Sequence, residues 1–259
     1  MGPFYNDTFS GRMKLNQTLN VLNSAKGISF REEVSLKRMI ELGLDKSRVS
    51  LTSDYAFLLT KNKNSFFEIL RPYIVVTLRQ HNYKSIDGES HYLKNIKTCC
   101  DQLHSKYGVD VLVVPHVKGP NSFENDIIIT KEFEKLTNGL DYYKYDYNYY
   151  SATELITLYS NAEILIGTRF HSVIFGLITN VPSFAISYSG YKANIVKQFQ
   201  LDRYMISIED LATHHCSRFN DLVKDLYEHR VEARKLIEER MPFVLQAILN
   251  DDAFLTLRD

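Results

Sequence analysis

The stretch Ile164-Leu165-Ile166-Gly167-Thr168-Arg169-Phe170-His171-Ser172-Val173-Ile174-Phe175-Gly176-Leu177 decides how the chain is read. An apolar run that stops at a glycine suits a parallel strand covered on both faces. The tight turn after it places Arg169, His171 and Ser172 at the start of the next helix. Free backbone N–H groups and the positive end of the helix dipole make such a start an anion site. A second unit follows at once. Val181 to Ser187 reads as a strand, and Tyr188-Ser189-Gly190-Tyr191-Lys192 as a turn into another helix.

The same grammar extends outward in both directions. Tyr73 to Leu78 and Val111 to Val114 are apolar runs of strand length, ending at Arg79 and at Pro115-His116. Between them, Tyr92, Ile96, Cys99, Leu103 and Tyr107 fall on one helical stripe that Gly108 closes. A helix is expected from about 125 to 136, and a short strand within residues 141–150. Ser151-Ala152-Thr153-Glu154 has the form of a capping box. Strand and helix alternate from Tyr73 to Phe199, which predicts a parallel sheet with helices on both faces. Nearer the start, helices over 13–22 and 31–42 alternate with strands over 26–30 and 49–52. Apolar positions from Phe219 to Leu226 and from Ile237 to Ile248 mark long C-terminal helices.

Composition narrows the class. The chain has 259 residues, 44% of them hydrophobic and 24% charged, as in an ordinary globular protein. Thirty-one charges of each sign cancel, so no bulk attraction to nucleic acid or anionic lipid is expected, and anion recognition must be local. No apolar run has the length of a membrane span. Three cysteines (Cys99, Cys100 and Cys216) form neither a CxxC pair nor a zinc spacing. A reducing cytoplasm is the expected compartment, and no metal is expected.

Ligands of open parallel sheets bind beyond the carboxyl ends of the strands, where strand order reverses. Arg79, His116, Arg169, His171 and the turn from Tyr188 to Lys192 all follow strands and should converge there. Arg169 either holds a carboxylate or phosphate by its fork or pairs with a structural carboxylate such as Glu154 or Glu163. His171 either meets a phosphate and acts as general acid or is a core histidine. Arg79 holds a second anionic group or bridges to Asp54 or Asp87; Lys192 adds a point charge or lies on the surface. Tyr188 and His116 are candidate ligand contacts, and Ser172 shares the helix start. Tyrosines between 142 and 150 could stack on a sugar ring, though a half-buried edge strand fits them better. No phosphate loop, GxGxxG, HExxH or GxSxG occurs, which leaves the anion crevice as the constellation that carries chemistry.

Gly-Thr-Arg-Phe-His-Ser at 167–172, then Val181-Pro182 and Tyr188 with Lys192, resembles the C-terminal motif of the polysaccharide pyruvyl transferases. Gly2-Pro3-Phe4, Ile28 to Glu32 and Leu51 to Leu59 resemble that family's N-terminal motifs. The resemblance covers most of the chain, to about Leu201. It implies a glycosyltransferase-B-like α/β fold of two Rossmann-like domains with long C-terminal helices. Members open with further strand–helix units, so an incomplete first domain is expected. The expected divisions are a remnant over 1–62, a donor-binding domain over 63–205 and C-terminal helices over 206–259.

The resemblance implies transfer of a pyruvyl group from phosphoenolpyruvate to a sugar, as a ketal. Phosphoenolpyruvate is then a donor substrate, and no cofactor is needed. Arg169 and His171 would be catalytic, and Arg79, Ser172, Tyr188, Lys192 and His116 would bind substrate. The acceptor would be a sugar or a lipid-linked glycan, which makes membrane-associated pathway enzymes the expected partners. Two readings compete: a sugar-nucleotide glycosyltransferase on the same fold, and a truncated, non-catalytic remnant. A Glu-x₇-Glu donor motif would favour the first of these, and none follows Gly167.

Overall fold

A computed structural model describes residues 9–62, 72–188 and 193–251. The Gly2-Pro3-Phe4 turn and Lys192 lie outside the described residues. The chain divides into two compact units, residues 1–55 with 243–259, and residues 56–242.

The smaller unit opens with α1 (Phe9–Ser24), β1 (Ile28–Phe30), α2 (Glu33–Glu41) and β2 (Val49–Leu51). The two strands pair in parallel, with Ser29 opposite Ser50. Leu19, Met39 and Leu44 form its buried core, with Leu15, Leu22, Ile28, Phe30 and Val49 packed around them. A polar knot joins both ends of the sequence. Asp251 is 3% exposed, and its carboxylate accepts from Ser50 Oγ and Tyr55 Oη, each at 2.6 Å, and from Ser29 Oγ. Burial and the adjacent Asp251 charge push the Tyr55 phenol above its usual range.

The larger unit continues with β3 (Tyr73–Thr77), α3 (Gly88–Tyr107), β4 (Asp110–Val113), α4 (Asp126–Leu136), β5 (Tyr143–Tyr145) and α5 (Ala152–Tyr159). After these come β6 (Leu165–Gly167), α6 (Phe170–Ile178), β7 (Ser183–Ser187), α7 (Ala193–Gln198) and β8 (Met205–Ser207). Three helices follow, α8 (Ile208–Leu211), α9 (Ser217–Glu228) and α10 (Arg230–Leu249), the last of which has its residues 243–249 in the smaller unit. The strands form one sheet in the order β5-β4-β3-β6-β7-β8, with every pairing parallel.

From β3 the chain winds outward twice, first through β4 to β5, then from β6 to β8. This is the doubly wound order, in which right-handed crossovers put helices on both faces. Burial agrees with the sequence pattern: every residue of β3, β4, β6 and β7 is buried. Each such Val, Ile or Leu side chain contributes about 1.5–3 kcal/mol by leaving water. The stripe read on α3 is buried through Tyr92, Ile96, Cys99 and Leu103, and α3 packs against α9. The capping box at Ser151 and Glu154 is formed in both directions.

Two details depart from expectation. A division near residue 62 and a separate C-terminal segment from 206 were expected, whereas residues 206–242 belong to the larger unit and 243–259 to the smaller. In addition, β8 and α8 were not read from the sequence, being only three and four residues long. Among the described residues, no helix is long and apolar enough to cross a membrane.

Candidate functional site

Strand order reverses between β3 and β6, so the crevice beyond their carboxyl ends is where this topology places a ligand. Thr77 and Gly167 are register partners at the ends of these strands. Arg79 and Arg169 each lie two residues further on, so neighbouring strands deliver two guanidinium groups to one place. The approach is close. A Cβ on Gly167 would stand 2.8 Å from Ser172 Oγ and 2.8 Å from Val173 Cγ2, so glycine lets the strand end meet the helix start.

Arg169 is the N-cap residue of α6 and is 6% exposed. Its Nε and Nη2 donate to Asp126 Oδ1 at 3.0 and 2.7 Å, and its Nη1 donates to Glu124 Oε2 at 2.8 Å. Asp126 has no exposed surface, and its Oδ2 also accepts from the Val117 N–H at 2.9 Å. Burial raises the Asp126 carboxyl, against the pull of its bonds to Arg169. On Arg169 desolvation opposes the charge, and the bonds to Asp126 and Glu124 outweigh it, so the guanidinium is held above its usual range. The Arg169 fork is filled by carboxylates here, the second of the two alternatives read from the sequence. It forms an ion pair, though with neither of the carboxylates the sequence suggested. Glu154 completes its own helix cap, and Glu163 accepts from Arg230 at 2.6 Å.

Arg79 is bound quite differently. It is 8% exposed, yet among the described residues its Nε and Nη1 have no hydrogen-bond partner. Its side chain bonds Glu124 at long range, Nη2 to Oε1 at 3.5 Å. The guanidinium carbon lies 3.7 Å from the centroid of the Tyr188 ring, a cation–π stack that holds the group in place without using its N–H donors. Neither Asp54 nor Asp87 is its partner; Asp54 pairs with Arg31 in the smaller unit.

Beside Arg169 opens a cleft of about 340 Å³, lined by His116, Tyr150, Arg169, His171, Phe175 and Tyr188 among others, and Arg79 reaches its edge only through its stack on Tyr188. His171 is exposed in the first turn of α6. His116 is bonded through Nδ1 to Tyr159 Oη at 3.1 Å and packs on the Phe175 ring. Four of the expected site residues thus line one cleft: Arg169, His171, His116 and Tyr188.

Ser172 does not join them. It is fully buried, and its Oγ donates to the Arg169 carbonyl at 2.8 Å and lies 2.8 Å from Thr77 Oγ1. The hydroxyl ties the end of β3 to the start of α6, which corrects its expected role as a substrate contact. Tyr92 does similar work from α3: its hydroxyl meets Thr168 Oγ1 at 2.7 Å and the Arg79 backbone. Among the described residues, no group of three or more His, Cys, Asp or Glu could hold a metal ion.

Sequence reasoning missed Glu124 and Asp126. Glu124 comes from the loop after β4 and Asp126 from the first position of α4, and that loop doubles back through an antiparallel bridge between Lys118 and Asn125. Gly119 N–H donates to the Glu124 carbonyl at 2.8 Å, and a Cβ on Gly119 would stand 2.7 Å from that oxygen. The available signal was the Asn125-Asp126 helix start following a central strand, since an acidic first turn beside two cationic strand ends invites pairing.

The fold is that of an α/β protein of the glycosyltransferase-B-like class, with two arginines carried beyond adjacent strand ends at its topological switch point. The family model for polysaccharide pyruvyl transferase matches residues 4–190, and the chain belongs to that family. No curated protein matches significantly. Among solved structures, the chain is similar to Escherichia coli trehalose-6-phosphate bound with UDP-2-fluoro glucose, at 9% identity and a TM-score of 0.61, over 97% of this chain and 64% of that one. It is also similar to the S. aureus MnaA–UDP co-structure, at 12% identity and a TM-score of 0.58, over 92% and 62%. A third likeness is to Methanocaldococcus jannaschii UDP-GlcNAc 2-epimerase in complex with UDP-GlcNAc and UDP, at 16% identity and a TM-score of 0.54, over 78% and 54%. The chain spans less than two thirds of the length of each of these structures.

Proposed function

We propose that the crevice beyond β3 and β6 binds phosphoenolpyruvate and that the chain serves the transfer of its pyruvyl group to a sugar as a ketal. The observation that carries this reading is Arg79. A buried guanidinium with two unbonded donor nitrogens is costly, and an anionic ligand would satisfy both. Family membership supplies the reaction class.

The reaction makes defined demands. The enol carbon gains a proton, which produces an oxocarbenium-like centre at the neighbouring carbon. One sugar hydroxyl adds there and loses its proton. The second hydroxyl then displaces phosphate, whose oxygen leaves with the bonding pair, and its proton balances the phosphate released. Arg79 would bind the donor as an anion, and the exposed His171, at the helix start, would contact phosphate or deliver the proton. Arg169, clamped by its carboxylates, would position the crevice instead of gripping the donor alone. The acceptor would be a sugar or lipid-linked glycan, handed on by membrane-associated pathway enzymes in the cytoplasm.

A second reading is favoured by the UDP-bound structures of the same fold, in which this chain would take a sugar nucleotide. Melting with phosphoenolpyruvate or a UDP-sugar separates the two. A ligand of the native state adds about 2.7 kcal/mol at a hundredfold excess over Kd. The proposal expects that stabilisation with phosphoenolpyruvate and its loss in Arg79→Ala. Stabilisation by the UDP-sugar alone would replace pyruvyl transfer with glycosyl transfer, and stabilisation by neither would favour a non-catalytic chain.

A further inference from the structure

Among the described residues, Arg79 and Arg169 meet two carboxylates, Glu124 and Asp126, so the formal charges of this group balance until one carboxylate moves away. The carboxylates are held very differently. Asp126 is fully buried, bonded by Arg169 and by a backbone N–H. Glu124 has a side chain 41% exposed, rides on the three-residue 3₁₀ turn Ser122–Glu124, and reaches both arginines, at 2.8 Å to Arg169 and 3.5 Å to Arg79. Among the described residues, no other hydrogen bond or ion pair holds that carboxylate. A planar, solvent-accessible carboxylate between two guanidinium groups has the shape and charge of an incoming carboxylate.

We infer that the Glu124 carboxylate is a resident substitute for the ligand's carboxylate, displaced when the ligand binds, and that Glu124 thereby sets the affinity of the crevice for organic acids. Asp126 stays in place and keeps Arg169 fixed while Glu124 swings toward solvent. Arg79, left with long and unbonded donors by Glu124, then receives a full set from the ligand. The inference rests on reading Arg79 as an anion anchor.

The backbone supports a swing of the side chain alone. Gly119 N–H holds the Glu124 carbonyl, and Glu124 N–H is held by Asn121 Oδ1 at 2.9 Å, so the turn itself is fastened. Displacement therefore needs only side-chain rotation into water.

Calorimetric titration of the full chain with phosphoenolpyruvate and, separately, with oxalate tests this on wild type, Glu124→Gln and Glu124→Ala. Removing the competing charge should tighten binding of both probes about tenfold in both variants. Phosphoenolpyruvate binding that is unchanged or weaker in both variants overturns the inference and makes Glu124 a support for Arg79, while leaving the donor reading intact. Oxalate tightening without any phosphoenolpyruvate binding upholds Glu124 as a displaceable carboxylate and sinks the donor reading. Neither probe binding any of the three proteins overturns both.

Discussion

Arg79 and Arg169 extend from register partners, Thr77 and Gly167, yet only Arg169 has its fork filled. Two cations of equal chemistry on adjacent strands have thus been given different tasks. One is locked by a buried carboxylate, and the other is stacked on Tyr188 with donors to spare.

That asymmetry predicts opposite phenotypes. Arg169→Ala leaves Asp126 buried without its cation and should cost about 3–5 kcal/mol. Arg79→Ala removes an under-bonded buried cation and should change stability by no more than about 1 kcal/mol while abolishing anion binding. Urea melts of both variants, repeated with phosphoenolpyruvate, read the two effects separately. An Arg169→Ala variant as stable as wild type would contradict the assignment of the buried pair.

Gly119→Ala should disturb the site from a distance. The new Cβ would stand 2.7 Å from the Glu124 carbonyl oxygen and 2.9 Å from its Cβ, so the backbone of the turn has to move. A loss of about 1–3 kcal/mol is expected, as for overpacking elsewhere, with altered affinity for anions because Glu124 moves. A crystal structure of the variant with an unshifted 118–125 loop would refute the argument.

Much of the fold was legible because its strands are buried on both faces. Apolar stretches such as 73–76 and 184–186 show no polar face, and the α3 stripe has helical spacing. The placing of Arg79 and Arg169 just beyond the ends of adjacent strands followed from one rule about strand ends. What was hidden depends on loops. Asp126 reaches Arg169 across 43 positions in sequence, through the folded-back turn after β4 that no periodicity marks. Ser172 sits at a helix start like an anion ligand, but its rotamer turns the hydroxyl inward to Thr77, a choice made by packing.

The capping box at α5 offers a local test near the cleft. Ser151 Oγ accepts from the Glu154 N–H at 3.4 Å, and Glu154 Oε2 accepts from the Ser151 N–H at 2.8 Å. Ser151→Ala should cost about 1 kcal/mol. Because α5 packs on α6, and Ala152 and Leu155 line the cleft, the variant should also weaken donor binding modestly. Equal melting curves for variant and wild type would show the cap to be energetically silent.

In the smaller unit, Asp251 ties the C-terminal segment to the β1–β2 pair. Three hydroxyls, from Ser29, Ser50 and Tyr55, point at one carboxylate that is almost wholly buried. Asp251→Ala removes the shared acceptor of all three at once, leaving only the longer contacts of Ser50 and Tyr55 to Ser29 Oγ. With bonds to a charged group contributing about 1.5–3 kcal/mol each, and with some repair by water, a net loss of about 3 kcal/mol is expected. The loss should be local, since every one of these partners lies within the unit of residues 1–55 and 243–259. Hydrogen exchange checks this directly. Amides of residues 28–30 and 49–51 should exchange faster in the variant, while those of β3, β6 and β7 keep their protection. Equal acceleration across both sheets would mean that the two units unfold as one cooperative body, and Asp251 would then be stabilising the whole chain.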